Sequence, residues 1–297
     1  MKKAYLTAIV CIALIKISYT QEEDLLHLVN QDSSKKEFVT SAFKSSRVIM
    51  SHSMEMLHAG ILDFRILHRF GNINDGAYEF FGLDNATIRL GLDYALGNNF
   101  TIGIGRSTHK KELDGFMKLR VIRQTKGARP VPVSLVFVGG STINTLKVSE
   151  PERKNFRFRL GYYGQLIIGR KFSESFTLQL SPIIVHQNLV RSIDDPNDLI
   201  ALGTGGRLKL TKRISLNVDY FYVFNLNETS LYNPLSVGLD IETGGHVFQL
   251  HFTNAIGMNE RAFLSETNNN WGKGDIQFGF NISRSFQLGK RKRHLNH

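Results

Sequence analysis

The chain has 297 residues, a mass of 33.6 kDa and a formal net charge of +11 at pH 7. Its mean hydropathy of -0.16 argues against a polytopic helical membrane protein, and no run of about 18 apolar residues follows the N-terminal segment. Disorder is excluded too, because 21 Phe and 9 Tyr supply apolar surface for burial while charged residues make up only 21%.

The first twenty residues have the pattern of a secretory signal peptide. A basic start precedes the apolar stretch 4–15, which is too short to span a bilayer, and we expect cleavage before Gln21. Cys11 is the only cysteine and lies within residues 1–20, so the exported chain would carry no disulfide and no cysteine metal site. A chain of this size without disulfides is typical of a bacterial envelope protein.

Residues 21–59 are expected to form a separate N-terminal segment that is periplasmic or plug-like, with a turn or two of amphipathic helix at Asp24 to Asn30. Within it, residues 37–54 precede the first confident strand. They could thread into the following fold as a plug or gate, or they could form an extra strand or a periplasmic strap. We favour the strand or strap.

From Gly60 onward, apolar and polar residues alternate with a period of two, which is typical of strands with two different faces. Most of the predicted strands have 9 to 13 residues, and about 9–11 are what a strand tilted in a bilayer requires. Short Gly-rich or polar turns alternate with longer loops, as in outer-membrane barrels with an even strand count. The twelve predicted strands are 61–70, 85–95, 99–107, 112–123, 131–141, 156–169, 174–186, 199–210, 213–224, 234–242, 246–254 and 274–286.

The second face of these strands favours a barrel over a soluble β-sandwich, which stays the alternative. A sandwich shows water a face rich in Lys and Glu, whereas here charges of both signs are interleaved with glycine, which suits a crowded lumen. We therefore predict an all-β, antiparallel, transmembrane up-and-down barrel over residues 60–288, preceded by a short helical or extended segment. The lumen-facing charged candidates are Arg65, Arg69, Arg89, Asp93, Lys118, Arg120, Arg159, Arg207, Asp219, Asp240 and Glu242. A structural role is the competing interpretation for all of them, since buried charges need partners.

Three blocks of sequence at residues 82–94, 195–207 and 242–254 contain the runs Gly-Leu-Asp-Asn, Asp-Pro-Asn-Asp-Leu and Glu-Thr-Gly-Gly-His. Together they resemble an uncharacterised family of bacterial membrane-bound β-barrel domain proteins, from about Lys35 to Phe286. The resemblance implies an outer-membrane barrel and brings with it no known activity, ligand or catalytic residue.

One loop offers a weak candidate for Ca²⁺, which takes 6–8 oxygen ligands. Its residues are Asp194, Asp195, Asn197 and Asp198, but Asp-Pro-Asn-Asp is also ordinary turn chemistry. Elsewhere the histidines form no compact cluster with carboxylates, so we expect no resident metal and no cofactor.

A lipid hydrolase is the sharpest enzymatic alternative. Its chemistry needs a serine activated by a nearby histidine, which is itself oriented by an amide or carboxylate, at the lipid boundary. The sequence holds only fragments of such a motif, at His52-Ser53 and at residues 281–283, and Gly-x-Ser-x-Gly is missing. We therefore expect no enzymatic activity and no catalytic residues.

Three functions remain in order of preference: a closed or plugged envelope barrel, a passive channel for small polar or charged solutes, and an outer-membrane lipid hydrolase. The expected location is the outer membrane of a Gram-negative bacterium, with the lipid bilayer and the barrel-insertion machinery as partners. Nucleic acid is not expected as a partner, because much of the excess positive charge lies in residues 1–20 and in the basic tail 289–297.

Overall fold

The computed structural model describes residues 35–147, 154–190, 192–226 and 231–288. Twelve strands form a closed barrel of antiparallel neighbours, in which the last strand pairs with the first. This confirms the predicted all-β barrel. The strands are β1 Lys36–Phe38, β2 Ile61–Asn72, β3 Ala86–Gly97, β4 Phe100–Ser107, β5 Leu113–Ile122, β6 Thr125–Gly127, β7 Ser134–Ile143, β8 Leu160–Lys171, β9 Phe176–Gln187, β10 Asp198–Lys209, β11 Ile214–Val223, β12 Leu235–Thr243, β13 His246–Thr253 and β14 Gln277–Gln287, of which all but β1 and β6 belong to the barrel.

Helical structure is sparse in the described part of the chain. The helix α1 spans Glu260–Ser265, and no described helix is long and apolar enough to cross a membrane. Single 3-10 turns lie at Ile73–Asp75, Phe80–Gly82, His109–Lys111, Phe156–Arg159 and Trp271–Lys273. The predicted signal peptide, the predicted helical turn at 24–30 and the basic tail lie outside the described residues.

All twelve predicted barrel strands are present, with bounds that differ by up to four residues. The largest difference is at β8, which begins at Leu160, whereas the alternation predicted a start at Phe156. The Asn155 side chain accepts a hydrogen bond from the Arg157 amide and starts a 3-10 turn over Phe156–Arg159. An Asx cap of this kind offers the backbone an alternative to the sheet.

The connections between strands lie at the two ends of the barrel, here called its rims. The short connections 98–99, 172–175, 210–213 and 244–245 lie at one end, here called the short-turn rim, where β2 begins and β14 ends. Gly244 and Gly245 both have positive φ, as the tight hairpin between β12 and β13 requires. The opposite, long-loop rim carries the described loop residues 73–85, 108–112, 144–147, 154–159, 188–190, 192–197, 224–226, 231–234 and 254–276.

The pleat places alternate residues on the two faces of the wall. Outward side chains are large, apolar and exposed, for example Ile104 at 64%, Met117 at 55% and Ile200 at 52%. Inward side chains are buried and mostly polar or small. An apolar outer band around a polar interior is what a barrel in a bilayer needs.

A second, small unit consists of residues 35–40 and 123–132 within the described chain. Its strands β1 and β6 pair antiparallel, with Glu37 opposite Lys126. The Arg123 guanidinium lies 4.6 Å from the centroid of the Phe38 ring, a cation–π contact that holds the two pieces of the unit together.

Candidate functional site: the occupied lumen

The lumen of the barrel contains residues 41–58, here called the inner segment. Its centre folds back as a tight hairpin, in which the Val48 amide donates to the Ser51 carbonyl at 2.9 Å and the Ser53 amide donates to the Ser46 carbonyl at 3.0 Å. The chain therefore enters the lumen, turns at 48–51 and leaves again before β2 begins.

The tip of the hairpin is held by one carboxylate of the wall. Asp219 Oδ2 on β11 accepts hydrogen bonds from the amides of Ile49 at 3.3 Å, Met50 at 2.9 Å and Ser51 at 2.9 Å. Its other oxygen, Oδ1, accepts one from Ser51 Oγ at 3.0 Å. Asp219 is 0% exposed, so four converging donors take the place of water around the carboxylate oxygens.

The rest of the inner segment is held by wall side chains that donate to it from six other strands. Arg65 donates to the hydroxyls of Ser45 and Ser46, Lys118 to the carbonyls of Ser46 and Glu55, Gln179 to His52 O, Arg207 to the carbonyls of Ser41 and Ala42, Gln249 to Val48 O, and Asn281 to Ile49 O. The donors come from β2, β5, β9, β10, β13 and β14, so the segment is fixed from several sides of the wall.

Apolar packing complements these polar contacts on one side of the lumen. Inward residues of β7 to β11, such as Val136, Ile167 and Val185, form a buried cluster with side chains of the inner segment. Val48 and Ile49 of the hairpin are both 0% exposed. Burial of this kind stabilises by about 1.5–3 kcal/mol for each large apolar side chain, so the segment adds a core to the barrel.

The helix α1 enters the lumen from the opposite, long-loop rim. Asn259 Oδ1 accepts from the Ala262 amide at 2.9 Å and caps the helix, and all six residues of α1 are buried. The Phe263 ring lies 5.0 Å from the Phe221 ring of the wall, centroid to centroid. The loop 254–276 thus inserts a helical turn into the barrel mouth.

The inner segment and α1 meet inside the lumen. Arg47 Nη1 lies 3.3 Å from Glu260 Oε1, and His52 Nε2 lies 3.6 Å from the same oxygen. Burial, together with nearby cations that include Arg47, holds the pKa of His52 well below its ordinary value, so His52 is neutral. Burial also raises the pKa of Glu260, although Arg47 opposes that change. The positive partner of Glu260 is therefore Arg47.

On its other side, α1 is tied to the long-loop rim by the group of ion pairs around Arg261, here called the Arg261 network. Arg261 binds Glu112 through two bonds, of 2.7 and 2.9 Å, and Glu266 at 2.5 Å. Glu266 also pairs with Lys110 at 2.9 Å and with His109 at 2.8 Å. Burial of Glu266 disfavours its charge, but Arg261, His109 and Lys110 outweigh that effect and hold its pKa well below the ordinary value.

Eight of the eleven predicted lumen charges are buried on the inner face: Arg65, Arg69, Arg89, Asp93, Lys118, Arg207, Asp219 and Asp240. Some pair along the wall, where Arg65 binds Asp63 at 2.7 Å and Asp93 at 3.1 Å. Arg89 forms two bonds to Asp114, of 2.8 and 2.5 Å. The wall charges therefore serve two purposes, which are ion pairing along the wall and holding the inner segment.

The other three predicted lumen charges lie at the rims, and two of them, Arg120 and Glu242, continue the inward faces of β5 and β12. Arg120 donates to the Asn98 carbonyl at 2.7 Å, at the short-turn rim. Glu242 pairs with Lys44 at the same rim and is half-exposed. Arg159 does not belong to a strand, because it ends the 3-10 turn that precedes β8 at the long-loop rim. The alternation that extended β8 back to Phe156 caused this error.

Two of the three carboxylates in the loop 192–198, those of Asp195 and Asp198, are used within or beside the loop. Asp195 Oδ2 accepts from the Ser192 amide at 3.2 Å, and Asp198 pairs with His186 at 2.7 Å. In the described part of the chain, no group of three His, Cys, Asp or Glu side chains is arranged to hold a metal ion.

The fragments of a hydrolase motif do not form a catalytic pair. Ser53 Oγ donates to the Ser45 carbonyl at 2.7 Å, and His52 packs edge-on against Phe116 at 4.4 Å inside the lumen. Both residues are fully buried, so neither faces a lipid boundary.

Sequence reasoning missed α1 with its buried residue Glu260, and it missed Glu112, the partner of Arg261. A weak signal was present, because Asn259 followed by Glu260 and an apolar run is typical of a helix start. The run of six residues is too short to show helical periodicity. The ion pairs that hold it depend on residues far away in the chain.

A family model described as Membrane bound beta barrel domain (DUF5777) matches residues 43–286. No curated protein matches the sequence. Among solved structures, the NanC porin is similar with a TM-score of 0.50 at 8% identity, covering 76% of this chain and 100% of that chain. Omp33 of Acinetobacter baumannii has a TM-score of 0.40 at 10% identity, covering 76% and 97%. At these identities the likeness to the NanC porin shows the barrel fold alone.

Proposed function

This chain belongs to the family of membrane-bound β-barrel domains, and we propose that it is an outer-membrane barrel kept closed by its own inner segment. The protein is exported by its N-terminal signal peptide, is inserted by the barrel-insertion machinery and has no enzymatic activity. Residues 41–58 are its plug. The family match begins at Phe43, so most of the plug belongs to the domain that defines the family.

The contact between Asp219 and the hairpin tip is the observation that carries this proposal. Three consecutive backbone amides and one hydroxyl converge on a single buried carboxylate. Burying a carboxylate without such donors would strongly destabilise the folded protein, because nothing would replace the water around the charge. The wall at Asp219 is therefore complementary to the folded plug, and a strap that merely lay beside the barrel would need no such arrangement.

Passage of small polar solutes after displacement of the plug is the second candidate function. The wall residues Gln165, Ser181 and Thr101 are buried, yet their polar side-chain atoms have no protein partner among the described residues. Buried amides and hydroxyls need hydrogen bonds, so water between plug and wall would satisfy them. A hydrated wall supports conduction once the plug moves, whereas nothing in the site supports the lipid hydrolase.

Single-channel recording tests both functions. Refolded barrel, with folding checked by heat-dependent gel migration, is compared with a variant that lacks residues 41–58. We expect few current steps from the intact chain and large, stable steps from the deletion variant. Equal conductance of the two folded proteins would contradict the proposed plug.

A reversible tether provides the matched control, which does not depend on a deletion that could disturb folding. A Cβ atom on Gly205 would lie 2.9 Å from Val48 Cγ2, so cysteines at these two positions are within disulfide reach. The variant V48C/G205C, made with Cys11→Ser, should be silent when oxidised at any applied voltage. Any openings that voltage induces in the reduced protein should vanish on oxidation.

A further inference from the structure

The loop between β2 and β3, residues 73–85 at the long-loop rim, exposes four large apolar side chains and is here called the aromatic loop. They are Tyr78 at 93%, Phe80 at 60%, Phe81 at 53% and Leu83 at 38%. One exposed apolar residue is ordinary, whereas a group of them marks a surface that contacts a membrane, a ligand or another protein.

The backbone that carries these side chains is held in a fixed and unusual conformation. Phe80 and Phe81 have φ values of +46° and +54°, in the left-handed region that bulky residues rarely adopt. The Phe81 amide donates to the Gly76 carbonyl at 2.8 Å. The Gly82 amide donates to the Glu79 carbonyl at 2.9 Å. Strained backbone persists only where its surroundings fix it, and it is common at functional sites.

The base of the aromatic loop lies where β2 and β14 meet. A Cβ atom on Gly82 would lie 2.5 Å from the carbonyl carbon of Gly71 in β2. Because this contact is with backbone, the loop packs on the strand as closely as glycine allows. The Ile73 amide donates to the carbonyl of Ile276, just before β14, at 2.8 Å.

The outer face of the wall at this junction is aromatic. Phe70 of β2 and Phe278 of β14 stack with their ring centroids 5.8 Å apart, and Phe252 of β13 lies 5.6 Å from Phe278. Each of the three alternates with buried inward neighbours, so all three face outward. The aromatic loop therefore continues the apolar outer band of the barrel toward the rim, where aromatic girdles mark the membrane interface.

We infer that the aromatic loop is a membrane anchor, which inserts its four exposed apolar side chains among the lipids of the leaflet at the long-loop rim. The partner is the lipid surface, because the loop is continuous with a wall that already faces it. The Tyr78 hydroxyl stays at the level of the headgroups, as is usual for tyrosine at membrane interfaces. The anchor needs the barrel in its bilayer and does not depend on the plug.

Nitroxide labels on single cysteines test the anchor in the folded full-length barrel, reconstituted in phosphatidylcholine vesicles. The labelled variants are Tyr78→Cys and Leu83→Cys, each made with Cys11→Ser. Electron paramagnetic resonance compares the accessibility of each label to oxygen, which concentrates in lipid, and to a water-soluble nickel chelate. Ile104→Cys, on the outer wall, is the lipid control, and Ile193→Cys, at a side chain 98% exposed in the loop 192–197, is the water control. We expect both labels in the aromatic loop to favour oxygen, as the label at residue 104 does.

Removal of the two phenylalanine rings tests which side chains hold the loop in the membrane. The double substitution Phe80→Gly and Phe81→Gly keeps a backbone that glycine adopts without strain, so the variant should fold. The label at residue 78 should then change its preference from oxygen to the chelate. The matched control is Phe156→Gly, which removes an aromatic side chain 62% exposed in another loop of the same rim and should leave the label at residue 78 in lipid.

Two results would overturn the anchor. Labels in the aromatic loop that match the label at residue 193 would show that the loop stands in water, as a surface for a soluble partner would. A label at residue 78 that still favours oxygen after both rings are removed would show that the rings do not hold the loop in lipid. Neither result bears on the plug, which the conductance of the variant lacking residues 41–58 decides separately.

Discussion

Arg47 Nη1 and Glu260 Oε1 lie 3.3 Å apart in the lumen, although the two residues are 213 positions apart in the chain. Their side chains are only 2% and 0% exposed. Arg47 belongs to a segment that enters at the short-turn rim, and Glu260 belongs to a helix that enters at the long-loop rim. The barrel is therefore filled from both ends by two pieces that contact each other, so displacement of one removes a partner of the other.

A double-mutant cycle measures this contact. We expect Arg47→Met and Glu260→Gln each to lower the free energy of unfolding by about 3 kcal/mol, because each leaves a buried group unpaired. The double variant should lose clearly less than the sum, since neither unpaired charge remains. Urea unfolding followed by gel migration gives the three values. Additive losses would show that the two side chains do not interact.

Asp219→Ala is expected to release the plug. The substitution removes the acceptor of the Ile49, Met50 and Ser51 amides, and each buried donor left unpaired costs about 1–3 kcal/mol. Single-channel recording should show openings that the intact barrel lacks. The control Ser51→Ala removes only the bond from Oγ to Asp219 Oδ1, so it should leave the channel closed. A silent, folded Asp219→Ala barrel would count against the plug.

Alternation was enough to predict the twelve barrel strands, because which face a side chain takes is a local property of an extended chain. The placement of residues 41–58 could not be decided in this way. The apolar residues of this segment follow neither the helical nor the strand period. Its contacts join residues that are far apart in the sequence, such as the Met50 amide and Asp219, which are 169 positions apart. The sequence pattern predicted which charges face the lumen. It could not predict which of them bind the plug, because those contacts form only once the barrel has closed.

The stability of the Arg261 network should depend on pH. The pKa of Glu266 lies well below its ordinary value of 4.5, so its contribution is fully present above that pH and is lost as the pH falls toward the lowered value. We expect Glu266→Gln to destabilise the barrel at pH 7 by about 3 kcal/mol, as for a broken buried ion pair. The difference from the unchanged protein should shrink below pH 4.5, measured by urea unfolding at several pH values.

An exposed carboxylate provides the control for that measurement. Glu174 pairs with Lys171 at 2.7 Å, but its side chain is 70% exposed. Glu174→Gln should therefore change stability by less than about 1 kcal/mol at every pH. If Glu266→Gln behaved in the same way, the Arg261 network would have no measurable role in holding α1.

Gly257→Ala should displace α1 from the barrel mouth. A Cβ atom at Gly257 would meet the backbone of the helix, at 2.5 Å from the Phe263 amide nitrogen, and backbone atoms cannot move aside as a flexible side chain can. Since Phe263 is fully buried against the wall, we expect the loop 254–276 to become sensitive to added protease and openings to become more frequent. Gly164→Ala is the matched control, because its Cβ would meet only Ile184 Cγ2, at 3.9 Å. Equal protease resistance of the two variants would mean that the added Cβ atom at residue 257 does not displace α1 from the barrel mouth.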